Sequence, residues 1–273
     1  MNDTALKTKN DEAQARPTGG FCWYELLTSD DRAAEAFYRH AIGWDAQDAG
    51  MPGMRYTLLK VGDTAVAGMM TMPPEACVDG AKPGWLAHVA VADVDAKAAQ
   101  ITKLGGKVLK EPTDIPGIGR FACVADPQGA VFFLFRGNGP MPPQPAPGTP
   151  GTFGWHELYS DDWQKAFAFY EKLFGWSKRD AMDMGPMGTY QLFATSDATE
   201  CGAIGGMMNA MPGGPRNMWN YYINVDATDA AVSRITEKGG KIINGPMQVP
   251  GGSWIAQCVD PQGVMFSIVG AKR

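Results

Sequence analysis

Phe21-Cys-Trp-Tyr-Glu-Leu26 returns 132 residues later as Phe153-Gly-Trp-His-Glu-Leu158. Ala36-Phe-Tyr-Arg-His-Ala-Ile-Gly-Trp44 returns at the same spacing as Ala168-Phe-Tyr-Glu-Lys-Leu-Phe-Gly-Trp176. Two later blocks recur at a spacing of 134: Gly105-Gly-Lys107 as Gly239-Gly-Lys241, and Asp126-Pro-Gln-Gly129 as Asp260-Pro-Gln-Gly263. Four blocks in one order mean that the chain holds two copies of one unit, with a net two residues added to the second. Between the copies, Gly137 to Gly151 carries prolines at 140, 142, 143, 145, 147 and 150. Proline fixes φ and removes a backbone donor, so this stretch reads as an extended linker. The expected organisation is a disordered tail over 1–18, a first domain over 19–137, a linker over 138–151 and a second domain over 152–273.

Within a copy the pattern alternates between strand and helix. Phe21–Leu27 is aromatic and alternating, as strands are. Ser29-Asp-Asp offers N-caps for a helix carrying Ala33, Ala36, Phe37 and Ala41, with Gly43 placed to end it. Arg55–Val61 and Thr64–Met70 read as strands joined at Gly62-Asp63. The series restarts at Trp85–Val91. Asp93 caps a second helix bearing Val94, Ala98, Ile101 and Leu104, and strands follow near Lys107–Lys110, Arg120–Ala125 and Val131–Arg136. Asp126-Pro-Gln-Gly129 makes a tight turn between the last two. One strand–helix–strands module is too small to bury a core, so modules are expected to pair edge to edge.

Composition narrows the function. The 273 residues are 45% hydrophobic and 19% charged, with a formal net charge of −5. No lysine or arginine cluster supports nucleic-acid binding or an anionic membrane surface. No run reaches the ~18 apolar residues that span a bilayer, and the N-terminus lacks the apolar core of a signal peptide, so a cytoplasmic location is expected. The five cysteines are scattered without a CxxC pair, which argues against a disulfide framework and a thiolate zinc site. Neither GxxxxGK[ST] nor GxSxG is present.

A helix ending Phe-Tyr…Gly-Trp, then Val91-Ala-Asp-Val-Asp95, Gly-Gly-Lys and a closing Asp-Pro-Gln-Gly hairpin resemble the vicinal oxygen chelate superfamily. That group includes glyoxalase I, bleomycin-resistance proteins and extradiol dioxygenases. The resemblance covers about 20–136 and 152–270 and implies an α+β fold: four βαβββ modules forming two glyoxalase-like domains with half-open barrel cavities. Metal-dependent members place His or Glu on the first and last strands of each module. Those positions fall here on Trp23, Leu86, Phe133 and near Gly68, and in the second copy on Trp155, Asn220, Ser267 and near Gly206. None is a strong ligand for a divalent ion. The resemblance therefore implies a lost metal site and no cofactor, with a divalent metal at displaced ligands the exception it leaves open.

Alternation along the strands places other residues on the same faces. The first copy offers Trp23, Glu25, His88 and Phe133, the second Trp155, Glu157, Asn220 and Tyr222. Glu25 and His88 are the candidate catalytic pair, and the others are candidate ligand-binding residues. A glutamate on an apolar strand face is a base, a ligand anchor, or a group bonded to a backbone amide or an indole at the sheet rim. His88 is an acid–base partner or a satisfied core histidine. His156 is expected to pack between sheet and helix. Methionines 51, 54, 69, 70 and 72, with 207, 208 and 211, line an adaptable pocket or fill core gaps. Thr113–Gly119 and Met247–Gly252 are lids or plain hairpin loops. Three functions follow: a metal-independent protein binding or transforming a small, partly aromatic molecule; a divalent-metal lyase or dioxygenase with displaced ligands; or a sequestration protein without catalysis. The partner is a small molecule. With four modules already in the chain, a monomer or a homodimer is expected.

Overall fold

The computed structural model describes residues 18–74, 82–139, 144–195 and 202–273. Most of the expected tail, part of the proline-rich linker, Cys77 and Cys201 lie outside the described residues. In the first copy the elements are β1 (Phe21–Thr28), α1 (Asp31–Ile42), β2 (Asp45–Asp48), β3 (Thr57–Val61), β4 (Thr64–Thr71), β5 (Gly84–Ala90), α2 (Val94–Lys103), β6 (Lys107–Ile115), β7 (Gly119–Ala125) and β8 (Val131–Gly137). The second copy repeats them as β9 (Phe153–Ser160), α3 (Trp163–Phe174), β10 (Ser177–Asp183), β11 (Thr189–Ala194), β12 (Gly205–Asn209), β13 (Met218–Asn224), α4 (Thr228–Glu237), β14 (Lys241–Gln248), β15 (Trp254–Val259) and β16 (Met265–Gly270).

Local chemistry sets the helices. The Asp30 side chain accepts from the backbone of Arg32 and Ala33 at the start of α1, and Gly43 ends it at φ 89°, where a side chain would be strained. Asp162 and Gly175 repeat this arrangement around α3. Asp93 caps α2 through Ala96. Each copy forms one eight-stranded sheet, in the orders β2-β3-β4-β1-β5-β8-β7-β6 and β10-β11-β12-β9-β13-β16-β15-β14. The two modules of a copy join where β1 runs antiparallel to β5, and β9 to β13, which is the edge-to-edge pairing expected. Neither sheet closes into a barrel, which is consistent with half-open cavities, and the face of each sheet turned away from the other copy is termed its concave face.

The opposite faces meet each other, and equivalent residues of the two copies do the work. Phe21 stacks on His156 with ring centroids 4.0 Å apart, and Tyr24 on Phe153 at 3.7 Å. Tyr38 of α1 donates to Asp260 (3.2 Å), while its counterpart Tyr170 of α3 donates to Asp126 (3.1 Å). Trp44 Nε1 donates to the Gly151 carbonyl and Trp176 Nε1 to the Gly19 carbonyl, both at 2.8 Å. Gln262 accepts from the Asp30 amide and Gln128 from the Asp162 amide, so each copy's Asp-Pro-Gln-Gly turn clamps the start of the other's first helix. One core runs through both copies and includes Trp44, Trp176, Phe132 and Phe266. Each such aromatic contributes on the order of 2–3 kcal/mol by leaving water.

Several expectations need correction. The strands β2 and β10 complete the βαβββ modules that the resemblance implies, but residue patterning did not mark them, because Asp45–Asp48 and Ser177–Asp183 are polar edge strands with little apolar alternation. β6 runs on to Ile115 and β7 starts at Gly119, so the first glycine-rich stretch is mostly strand and tight turn. β14 likewise extends to Gln248. His156 packs between the two sheets rather than against a helix. Met69 and Met207 are core residues, while Met54 and Met211 are exposed.

Candidate functional site on the concave sheet faces

Register builds the same row of residues across both concave faces. In the first copy Trp23 pairs with His88, His88 with Phe133, Phe133 with Cys123 and Cys123 with Lys110. The equivalent row in the second is Trp155, Tyr222, Ser267, Gln257 and Asn244. Glu25 and Glu157 lie two residues from the tryptophans, opposite Gly68 and Gly206. The structure thus brings Trp23, Glu25, His88 and Phe133 to one face, and Trp155, Glu157, Asn220 and Tyr222 to the other.

In the first copy, Trp23 Nε1 donates to the Tyr56 hydroxyl (3.0 Å), which donates to Glu25 Oε2 (3.1 Å). Burial, and then the charge of Glu25, push the Tyr56 phenol well above its ordinary range, so it stays a donor. Arg55, paired with Asp31 at 3.1 Å and with Glu35, ties the segment before Tyr56 to α1. His88 Nε2 lies 3.7 Å from Glu25 Oε2, beyond hydrogen-bond range. Neither ring nitrogen of His88 has a hydrogen-bond partner among the described residues, although the side chain is only 6% exposed. Phe133 lies against the His88 ring at 4.5 Å, with Phe135 at 5.8 Å. Burial, then Glu25, push the Cys123 thiol up to about 12, which makes it a poor nucleophile.

The second copy surrounds its glutamate with donors of its own. Glu157 Oε2 accepts from Tyr159, from Tyr222 (2.8 Å) and from Gln257 (3.4 Å). Gln257 also donates to both tyrosine hydroxyls, and Asn244 donates to Gln257. Trp155 Nε1 donates to Tyr190 (2.8 Å), as Trp23 does to Tyr56. Asn220 donates to Ser267 (2.8 Å), leaving its own Oδ1 without a partner. Glu157, Tyr159, Tyr190, Asn220, Tyr222 and Ser267 are all buried. Burial first, and Glu157 second, raise Tyr159, Tyr190 and Tyr222, so all three phenols stay protonated. In the first copy Trp23, Glu25, Leu86 and Cys123 are only half-buried.

Strand alternation puts Tyr159 on the same face as Trp155 and Glu157, while sequence reasoning missed Tyr56, Tyr190 and Gln257. Tyr56 and Tyr190 are equivalent in the repeat, and their recurrence before Leu58-Leu59 and Leu192-Phe193 was the available signal. Two surface depressions lie elsewhere, one of about 590 Å³ between α2 and β6, the other of about 390 Å³ between β1 and residues 144–147. Neither gathers a buried acid–base pair against aromatic walls.

A divalent metal does not fit the donors present. The positions that the resemblance assigns to ligands carry Trp23, Leu86 and Phe133, and a Cβ on Gly68 would overlap the Tyr56 hydroxyl. Gly206 and the Tyr190 ring repeat that overlap. Glu25 and His88 supply two donors, and among the described residues no group of three or more His, Cys, Asp or Glu converges. Among the described residues no helix is long and apolar enough to cross a membrane.

Comparison with known proteins agrees with this architecture. Residues 20–133 and 152–268 match the model of the glyoxalase/bleomycin resistance protein/dioxygenase superfamily. CFP32 of Mycobacterium tuberculosis, whose name proposes a glyoxylase, is 34% identical over 90% of this chain and 93% of its own length. The anthracycline biosynthesis protein DnrV of Streptomyces peucetius is 31% identical over 92% of this chain and 93% of its own. Among solved structures, the Mn(II)-bound glyoxalase of Novosphingobium aromaticivorans is similar at TM-score 0.62 and 17% identity, over 94% of this chain and 83% of that one. The 2,2',3-trihydroxybiphenyl 1,2-dioxygenase of Sphingomonas wittichii gives 0.64 and 14%, over 94% and 91%. The two copies, their paired modules and these matches together place the chain in the glyoxalase/bleomycin resistance protein/dioxygenase superfamily.

Proposed function

We propose that the concave face of the first copy binds a small, flat, partly aromatic organic molecule without a metal, and that the matching face of the second copy is a structural polar network. One observation carries this reading. The glutamate of the second copy is held by three donors of its own, whereas the first copy leaves a buried imidazole unbonded beside a half-buried carboxylate. Unpaired buried polar groups are costly, and they concentrate where a ligand completes the bonding. The walls beside them are Trp23, Phe121 and Phe133, which suits stacking on a planar ring.

The resemblance to proteins named for anthracycline biosynthesis supports a planar, oxygen-bearing ligand. If the ligand is transformed, the groups at hand limit the chemistry to proton transfer by Glu25, held in place by Tyr56, and the unbonded His88 beside it. No step is assigned to a metal, because the donor set does not fit one. Calorimetric titration with 2-naphthol in buffer containing EDTA tests the reading. The expected result is saturable binding at about one site per chain, unchanged when divalent metal is added. Absence of heat with any flat aromatic up to its solubility limit, or binding only with metal, would overturn it.

A further inference from the structure

We infer that the ligand of the first concave face is an elongated planar aromatic with a hydroxyl at one end and an acid group at the other. This rests on the binding reading above and names the ligand class for the same face. The argument starts from which hydrogen-bonding groups are already committed. Trp23 donates to Tyr56, and Tyr56 donates to Glu25 Oε2. Glu25 Oε1 makes no hydrogen bond among the described residues. The free capacity at this end is the Glu25 Oε1 acceptor beside the unbonded His88 ring, so the ligand must bring a group that donates to the carboxylate and can accept from the imidazole. A hydroxyl in the plane of a ring does so while the ring lies along the aromatic wall.

The other end of the row carries the opposite charge. Lys110 of β6 stands in register with Cys123, and its Nζ lies 5.6 Å from the centroid of Phe121. Phe121 in turn packs on Phe133 (6.0 Å), and Phe133 on His88. The wall thus runs without a break from the acid to the base. Lys110 makes no ion pair among the described residues, so its charge is available to a ligand carboxylate. β1 and β6 are four strand spacings apart in the sheet order. At ~4.8 Å each that is about 19 Å on a flat sheet, shortened by curvature and by the inward reach of both side chains. A single ring is too short for that gap, and two or three fused rings suit it. The second copy has Asn244 in place of Lys110, already bonded to Gln257, and so presents no cation there.

Three fluorescent probes of one skeleton separate the contributions. 6-Hydroxy-2-naphthoate carries both end groups, 6-methoxy-2-naphthoate loses the donor and 2-naphthol loses the acid. The expected order has the first binding about tenfold or more tighter than either of the others, as a site built around a polar group rejects the analogue lacking it. Glu25→Gln is expected to erase the hydroxy–methoxy difference, and Lys110→Met the difference made by the carboxylate. Thermal unfolding of each variant confirms that it is folded. If the three probes bind within about threefold of one another, or if Glu25→Gln keeps the discrimination, the end-group assignment is wrong while the flat-aromatic reading stands. If none binds at millimolar concentration, both fail.

Discussion

The hydroxyl of Tyr56 occupies the ground that a side chain on Gly68 would need. The tyrosine and the glycine form one unit: the ring can lie on the strand only because residue 68 has no Cβ, and from there its hydroxyl holds Glu25. Gly68→Ala is expected to displace Tyr56 and to cost about 1–3 kcal/mol, the usual range for overpacking. In a Tyr56→Ala background the same change should cost much less, since the two residues share one space. Urea midpoints of the four proteins check this, and equal costs in both backgrounds would refute it.

The two glutamates should respond to mutation in opposite ways. Tyr222→Phe strips a donor from a buried carboxylate and is expected to destabilise the protein by about 1–3 kcal/mol. It should leave 2-naphthol affinity unchanged. Glu25→Gln acts on the half-buried carboxylate and should change stability by less than about 1 kcal/mol, while the preference for a hydroxyl-bearing ligand disappears. Parallel unfolding and binding measurements on both variants decide. A large binding effect from Tyr222→Phe would count against the division of roles.

His156 gives the protein an acid-sensitive point away from both concave faces. Burial between the sheets lowers its pKa to about 4, while the unfolded imidazole titrates near the ordinary 6.5. As pH falls past 6.5 the unfolded chain takes a proton that the folded one refuses. The stability is therefore full above 6.5 and is lost as pH falls towards 4, by roughly 3 kcal/mol in all. Asp126 and Asp260 act with the opposite sign. Burial raises both, so their contribution is present below the ordinary aspartate range and lost as pH rises through their folded values. His156→Gln isolates the first effect. Urea midpoints from pH 7 to pH 4.5 should fall less in the variant than in the wild type, and parallel curves would contradict the assignment.

The reciprocal Tyr38–Asp260 and Tyr170–Asp126 bonds make the copies interdependent. Each tyrosine also accepts a bond from a buried tryptophan indole, Trp85 or Trp219, at 3.0 Å. Tyr38→Phe leaves both partners short of a bond and is expected to cost about 1–3 kcal/mol. The loss should appear as a shift of a single transition for the whole chain. Calorimetry that resolved two transitions, only one of them moved by the substitution, would show that the halves unfold separately.

The scaffold was legible in the sequence because its blocks recur. Phe-Tyr, Gly-Trp and Asp-Pro-Gln-Gly are repeated since each makes a contact with the other copy that its equivalent makes in return. Strand alternation also placed Trp23, Glu25, His88 and Phe133 on one face. His88 against Tyr222 already marks the two faces as different, but which of them bonds its own glutamate was not legible. It depends on Tyr159 and Gln257, which answer to Leu27 and Cys123 in the first copy and stand out only when the hydrogen bonds are traced. His156 was misplaced because a lone strand does not show what covers its outer face, and here another sheet does.

The central claim is that a ligand meets the first copy's concave face and not the second's. The chain has only three histidines, so their imidazole proton signals can be resolved and followed separately. His88 lies on the proposed binding face, His156 between the sheets, and His40 on the surface, 2.9 Å from Glu237. Proton NMR during titration with 6-hydroxy-2-naphthoate is expected to move the His88 signal to saturation and to leave those of His40 and His156 in place. Saturable binding of the same compound with no change at His88 would contradict the account.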